Sequence, residues 1–175
     1  MSVLSDKSLR IIYPNTEHVG PSSIDLHIGD TLLAWPPFVL RDPRIDQADR
    51  WKPAHREYSN GLVWALQPGI RYLASTIERV TIRPDCAGMI STRSSWARDG
   101  LAAICGSAGW LDAGFEGTVT LELSVVGSEL VIWPGAAICQ LVVLRMTTPA
   151  ERPYGGKYTD QTGPTPSRMH TEVHP

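Results

Sequence analysis

Prolines and glycines interrupt the chain at short intervals, and the segments between them carry β-branched, aliphatic and aromatic residues in a period-two rhythm rather than a helical one. The pattern predicts strands over residues 23–28, 31–35, 62–66, 71–75, 78–82, 87–92, 118–126, 129–132 and 137–145. The clearest alternation puts Val119, Leu121, Leu123 and Val125 on one face and Thr118, Thr120, Glu122 and Ser124 on the other. So many short strands at this spacing favour a mainly β barrel or jelly roll. Two short helices are expected beside them, one over residues 7–11 behind Ser5-Asp6 and one over residues 96–99 capped by Ser94-Ser95.

Residues 41–60 are rich in Arg, Asp, Pro and His without periodicity, which reads as a surface excursion. From Tyr154 onward Gly, Pro, Thr and Ser dominate, and composition alone describes a frayed tail. A chain of 175 residues is long enough for one domain with a real core. Its formal net charge of −2 lacks the broad basic field of a nonspecific nucleic-acid binder, so any anion is held locally and no nucleic-acid partner is expected. Cys86, Cys105 and Cys139 show neither C-x-x-C spacing nor a histidine at zinc-ligand distance. They read as buried thiols of a reducing cytoplasm. Neither a signal segment nor an apolar run of bilayer-spanning length is seen, so no membrane partner is expected.

Candidate chemistry is concentrated between Thr92 and Leu123. Arg93 and Arg98 with Ser94 and Ser95 offer guanidinium forks and hydroxyls to phosphate oxygens, and Asp112 and Glu122 offer acid-base capacity. That combination suggests an enzyme acting on a phosphorylated small molecule. Residue by residue, simpler readings stand beside it: Glu122 as a solvated strand carboxylate, Asp112 as a turn residue, Arg93 as surface charge, Ser94-Ser95 as a cap. Gln140 sits in an apolar strand and requires a partner for its amide if it is enclosed.

The string Arg93-Ser94-Ser95-Trp96-Ala97-Arg98, the element from Gly109 to Gly117, Pro134-Gly135 with Cys139-Gln140-Leu141, and Lys157-Tyr158 with Gly163-Pro164-Thr165-Pro166-Ser167-Arg168 resemble the dCTP deaminase branch of the dUTPase-like superfamily. Leu4-Ser5-Asp6 and the run from Ser22 to Gly29 resemble its opening motifs. The resemblance implies a dUTPase-like distorted jelly roll with short helices, a homotrimer with sites shared between subunits, a β domain over residues 1–153, and a tail over residues 154–175 that closes on the nucleotide.

It further implies hydrolytic deamination of dCTP to dUTP and ammonia. The alternatives are a bifunctional enzyme that proceeds to dUMP and pyrophosphate, a plain dUTPase, or a nucleotide-binding regulator without turnover. By the resemblance Glu122 is the proton shuttle, and Ser94 and Arg98 position water and base. Arg93, Ser95, Gln140, Tyr154, Lys157 and Gln161 hold the triphosphate. Asp112 reads the 3′-hydroxyl, Phe115 packs on the sugar, and Ser107 and Ala108 meet the pyrimidine. Zinc deaminases carry H-x-E and P-C-x-x-C motifs that this chain lacks, so no zinc and no protein metal site are expected. Mg²⁺ would arrive on the triphosphate of dCTP, dUTP or dTTP-type ligands. The chain departs from the family pattern in Ala113, where proline is frequent, in Val125, where asparagine is common, and in one extra residue between Arg98 and Asp112.

Overall fold

A computed structural model describes residues 2–36, 39–54, 57–58, 62–102 and 108–172, with the side chains of Glu57, Tyr58 and Leu62 outside the description. In chain order the elements are β1 (Ser2–Val3), α1 (Asp6–Ile12), β2 (Ile24–His27), β3 (Leu33–Ala34), β4 (Lys52–Pro53), β5 (Glu57–Tyr58), β6 (Leu62–Leu66) and β7 (Tyr72–Thr81). After them come β8 (Cys86–Thr92), α2 (Ser94–Arg98), β9 (Trp110–Leu111), β10 (Glu116–Leu123), β11 (Leu130–Ile132) and β12 (Ala137–Arg145). Single 3₁₀ turns lie at Ala48–Arg50 and Met169–Thr171. The architecture is mainly β, as the period-two pattern indicates.

Every strand pair is antiparallel. In the first sheet β12 is central, with β8 and then β9 on one side and β2 and β1 sharing its other edge. The second runs β10-β7-β3-β4 and the third β11-β6-β5. Their inner faces enclose a continuous core that includes Leu9, Ile28, Trp64, Leu66, Ile82, Leu121, Leu123, Ile132 and Ile138. Alternation along β10 is regular: Val119, Leu121 and Leu123 are buried, while Glu116, Thr118, Thr120 and Glu122 are half-buried on the opposite face. Thr120 and Glu122 of that second face line a cavity.

Where two strands are expected over residues 71–75 and 78–82, the structure has the single strand β7. The polar pair Ser75-Thr76 looks like a break in the sequence yet is buried. The register against β10 shifts between Thr118 and Thr120, and the Thr76 hydroxyl bridges the irregularity. It accepts from the Val119 amide at 2.9 Å and donates to the Glu78 carbonyl at 2.8 Å. A side chain thereby replaces the missing rung of the ladder.

Ser94 and Ser95 are the first two residues of α2 rather than its cap. Arg93 occupies that position in extended conformation because its amide still bonds to the Ile138 carbonyl at 3.0 Å, continuing the sheet up to the helix. The excursion over residues 41–60 contributes one 3₁₀ turn and two two-residue strands, β4, which pairs with β3, and β5, which pairs with β6.

Candidate active site

A cavity of about 580 Å³ opens on the polar face of β10. Glu122 lines it, together with Asp112 and Phe115 from the turn between β9 and β10 and with Tyr154, Lys157 and Gln161 from the segment after β12. Ala108 lines it as well, whereas Ser107 lies outside the described residues. Glu122 is half-buried and has no hydrogen bond or ion pair among the described residues. A carboxylate held on a rigid strand and left without a partner is available for proton transfer.

The segment after β12 is docked on β10, contrary to the composition-only reading of a frayed tail. The Gln161 carbonyl accepts from the Thr118 amide at 3.0 Å, and the Gln161 side-chain amide donates to the Thr118 carbonyl at 2.9 Å. The Thr165 amide donates to the Thr120 hydroxyl at 3.1 Å. Thr118 and Thr120 thus hold the tail, and Glu122, next along the same face, is left facing the cavity. Asp160 takes a positive φ of 57° at this docking point. Its amide bonds to the Glu116 carbonyl at 2.8 Å, and its carboxylate pairs with Arg79.

The tail enters through a tight approach to the turn that carries Asp112. The Tyr154 amide donates to the Ala113 carbonyl at 2.7 Å, and the Phe115 and Tyr154 rings stand 6.2 Å apart. Gly114 has φ of 92°, and a Cβ there would sit 2.6 Å from Pro153 Cβ and 2.8 Å from the Tyr154 nitrogen. Only glycine fits both the conformation and the gap. Further along, the Tyr154 hydroxyl accepts from the Tyr158 amide at 3.1 Å, and Lys157 Nζ pairs with Glu172 Oε1 at 2.7 Å. The hydrogen bond to Glu172 raises the Lys157 pKa above its ordinary value.

The remaining sequence-predicted residues gather elsewhere. Arg93 donates from one guanidinium nitrogen to the Ala137 carbonyl at 3.2 Å and approaches Asp25 Oδ2 at 3.5 Å with another. Gln140 donates its side-chain amide to Asp25 Oδ1 at 3.0 Å and to the Ser23 hydroxyl at 3.3 Å. Asp25 therefore orients both. Ser94, Ser95 and Arg98 project from α2 as exposed residues, and α2 is anchored by Trp96, whose indole donates to the Ala137 carbonyl at 2.9 Å. Neither α2 nor this cluster lines the cavity of Glu122. Within one chain the two sets stand apart.

Asp25, Trp51, Arg71, Thr165, Ser167 and Glu172 escape the sequence reading. Asp25 had a local signal, since it is the polar position between Ile24 and Leu26 in an opening motif. Arg71 and Trp51 reach the cavity only through tertiary closure. Among the described residues no group of three His, Cys, Asp or Glu is close enough to hold a metal ion, and no helix is long and apolar enough to cross a membrane.

A family model described as dCTP deaminase-like matches residues 2–146. A Mycobacterium sp. (strain KMS) protein named "dCTP deaminase, dUMP-forming" is 41% identical over 163 residues, covering 87% of this chain and 83% of the relative. A protein of the same name from Methanosphaera stadtmanae is 34% identical over 191 aligned residues, covering 97% and 94%. The crystal structure of 2′-deoxycytidine 5′-triphosphate deaminase from Agrobacterium tumefaciens superposes with a TM-score of 0.63 at 18% identity. That match covers 81% of this chain and 47% of the other, and it speaks to the fold.

Proposed function

From the premise that the chain belongs to the dCTP deaminase-like family, we propose that it hydrolyses dCTP at C4 and carries the product on to dUMP and pyrophosphate. The observation that carries the reading is the Glu122 carboxylate, without a partner among the described residues, in a cavity that also holds Asp112 and is walled by the tail. Relatives spanning most of the chain at 41% and 34% identity are named dUMP-forming, which favours the second step over release of dUTP.

In the first step Glu122 takes a proton from water as the oxygen bonds to C4 and passes it to N3; it then carries the proton of the new C4 hydroxyl to the exocyclic amine, which leaves as ammonia as the C4–N bond breaks and the carbonyl forms. In the second, water attacks the α-phosphorus of dUTP and pyrophosphate leaves, with Asp112 as the group that orients the attacking water and holds the 3′-hydroxyl. Phe115 forms an apolar wall against the sugar, with no polar partner to offer a ribose 2′-hydroxyl. Ala108, with Ser107, supplies backbone contacts to the pyrimidine. Tyr154, Lys157 and Gln161 close over the phosphates, which makes residues 154–175 a lid on a β domain of residues 1–153.

Ser94 and Arg98 would position water and base, and Arg93, Ser95 and Gln140 would hold the triphosphate, from a neighbouring subunit of a homotrimer. Sites shared in this way account for the separation of these residues from Glu122 within one chain. Trp133, which packs against Trp96 of α2, is 49% exposed, and Val126, whose amide bonds to the Gly100 carbonyl just past α2, is 67% exposed. Large apolar side chains exposed beside α2 are what a subunit contact would cover. Asp25 holds Arg93 and Gln140 ready for phosphate oxygens.

Mg²⁺ would accompany the substrate, held by phosphate oxygens and water. It would neutralise charge on the polyphosphate. A reducing cytoplasm is the compartment that this substrate and the buried Cys86 and Cys139 suit. Incubation with dCTP and separation of products tests the reading. Ammonia with dUMP and pyrophosphate is expected. Ammonia with dUTP alone would restrict the enzyme to deamination, and an unchanged nucleotide would overturn the assignment.

A further inference from the structure

Beside the main cavity lies a second one of about 290 Å³, which shares Trp51, Arg71 and Ser167 with it and is otherwise built from the excursion, Trp35 before it and Pro166 of the tail. Its floor is aromatic. Trp35 is buried and meets Trp51 edge-on with ring centroids 5.2 Å apart. Over the Trp35 ring, 4.9 Å from its centroid, sits the guanidinium carbon of Arg41. Arg71 lines the same pocket.

Neither arginine has an acidic partner within salt-bridge distance among the described residues, although acids lie close in sequence. Those acids are engaged: Asp42 binds Arg44 at 2.7 Å, and Asp46 faces His170 at 4.0 Å. Burial first, and then the neighbouring positive charge of Arg71, lower the pKa of Arg41 from its ordinary value. Two cations turned into one concave site repel each other and lose hydration, a cost that a bound anion removes. Stacking on Trp35 fixes the Arg41 fork in advance, and among the described residues nothing accepts from its N–H groups, which can turn to oxyanion oxygens.

The geometry points to an accessory oxyanion subsite, formed by Arg41 and Arg71 over Trp35 and Trp51, that takes a compact polyphosphate: free pyrophosphate or the phosphate end of a second nucleotide. Its volume lies at the low end for small-molecule pockets and suits a polyphosphate better than an enclosed nucleoside. Pro166 and Ser167 complete the wall, so the subsite exists only with the tail seated. The inference rests on Arg41 and Trp35, which line only this pocket, and does not depend on the dCTP reading of the neighbouring cavity.

Calorimetric titration of the full chain with inorganic pyrophosphate, with and without a saturating non-hydrolysable dCTP analogue, tests the subsite. Arg41→Gln serves as the variant because Arg41 lines only the second pocket. Pyrophosphate is expected to bind with the analogue present, and Arg41→Gln is expected to weaken it by about tenfold or more, as for loss of a charge-assisted contact. The variant should keep its kcat/KM for dCTP within about twofold, which also shows that it folds. Titration with dUTP or dTTP under the same conditions identifies the source: competition with pyrophosphate assigns the site to nucleotide phosphates, and its absence assigns it to the free anion. Three results overturn the subsite: no pyrophosphate binding once the main cavity is filled, equal affinity in the wild type and Arg41→Gln, or a dCTP KM that rises in step with the pyrophosphate Kd. If the analogue itself does not bind, the dCTP reading fails, and the Arg41 comparison without analogue still decides the subsite.

Discussion

Lys157 Nζ lies 2.7 Å from Glu172 Oε1, and both residues line the cavity that Glu122 faces. The cation assigned to the triphosphate is therefore matched by a carboxylate of the same tail before any polyanion arrives. A substrate phosphate and Glu172 compete for one ammonium. The competition is mild, since Glu172 is largely exposed and such pairs are screened.

Glu172→Gln frees Lys157 without altering the shape of the tail. The KM for dCTP is expected to fall by about two- to fivefold, the range an exposed ion pair commands, with kcat little changed. Raising the salt concentration should narrow the difference between variant and wild type. Steady-state kinetics at two ionic strengths measure both effects. A KM that rises instead would mean that Glu172 helps to hold the ligand.

Glu122→Gln keeps size and polarity while removing the proton acceptor. Ammonia release from dCTP is expected to drop by about 10²–10⁴-fold, the usual worth of a positioned acid-base group. Pyrophosphate release from added dUTP should survive, because Asp112 is untouched. Loss of both reactions together would show that Glu122 acts through the shape of the site rather than through proton transfer.

Strand β12 and strand β6 are legible residue for residue, because each is a continuous run of apolar and β-favouring side chains entered from a turn. The joined strand β7 is not, since its continuity depends on the Thr76 hydroxyl meeting the Val119 amide from another strand. Two-residue strands such as β4 and β9 carry too little periodicity to be seen at all. For the site, Glu122, Asp112 and the tail are visible through motif order. Arg71, Trp51 and Glu172 are invisible, because a tail docked on β10 and an excursion folded beside it bring them there, and no local pattern encodes those contacts.

Gly114→Ala places a Cβ against Pro153 and Tyr154 in a backbone conformation that alanine disfavours. A loss of about 1–3 kcal/mol in stability is expected from the combined strain and clash. The same change loosens the Tyr154 amide from the Ala113 carbonyl and so unseats the tail. Thermal unfolding should show the first effect, and limited proteolysis beyond Tyr154, together with a higher KM, the second.

Tyr13 donates its hydroxyl to the Thr81 carbonyl at 2.8 Å, and burial, followed by the neighbouring Cys86, pushes its pKa from 10.0 to about 12. A raised folded-state value means that the stabilisation is complete below pH 10, where the unfolded tyrosine is also neutral. It is lost as pH climbs toward 12. Urea midpoints of wild type and Tyr13→Phe at pH 9 and pH 11.5 should converge as the wild type gives up as much as about 2 kcal/mol that the variant never had. A constant gap between them would mean that folding does not raise the pKa of Tyr13.

Separation of α2 from the cavity of Glu122 gives the sharpest test of shared sites. Arg98→Ala and Glu122→Gln should each be severely impaired in ammonia release as pure proteins. In a trimer built from both, a site formed by Glu122 of one subunit and Arg98 of the next is intact whenever each neighbour contributes its unmutated half. Random mixing through unfolding and reassembly should then restore roughly a quarter of the wild-type sites. Sites contained within single chains would yield nothing on mixing, since no chain carries both residues. Recovery of ammonia release therefore separates the two arrangements, and size-exclusion measurement of the mixture checks that trimers have formed.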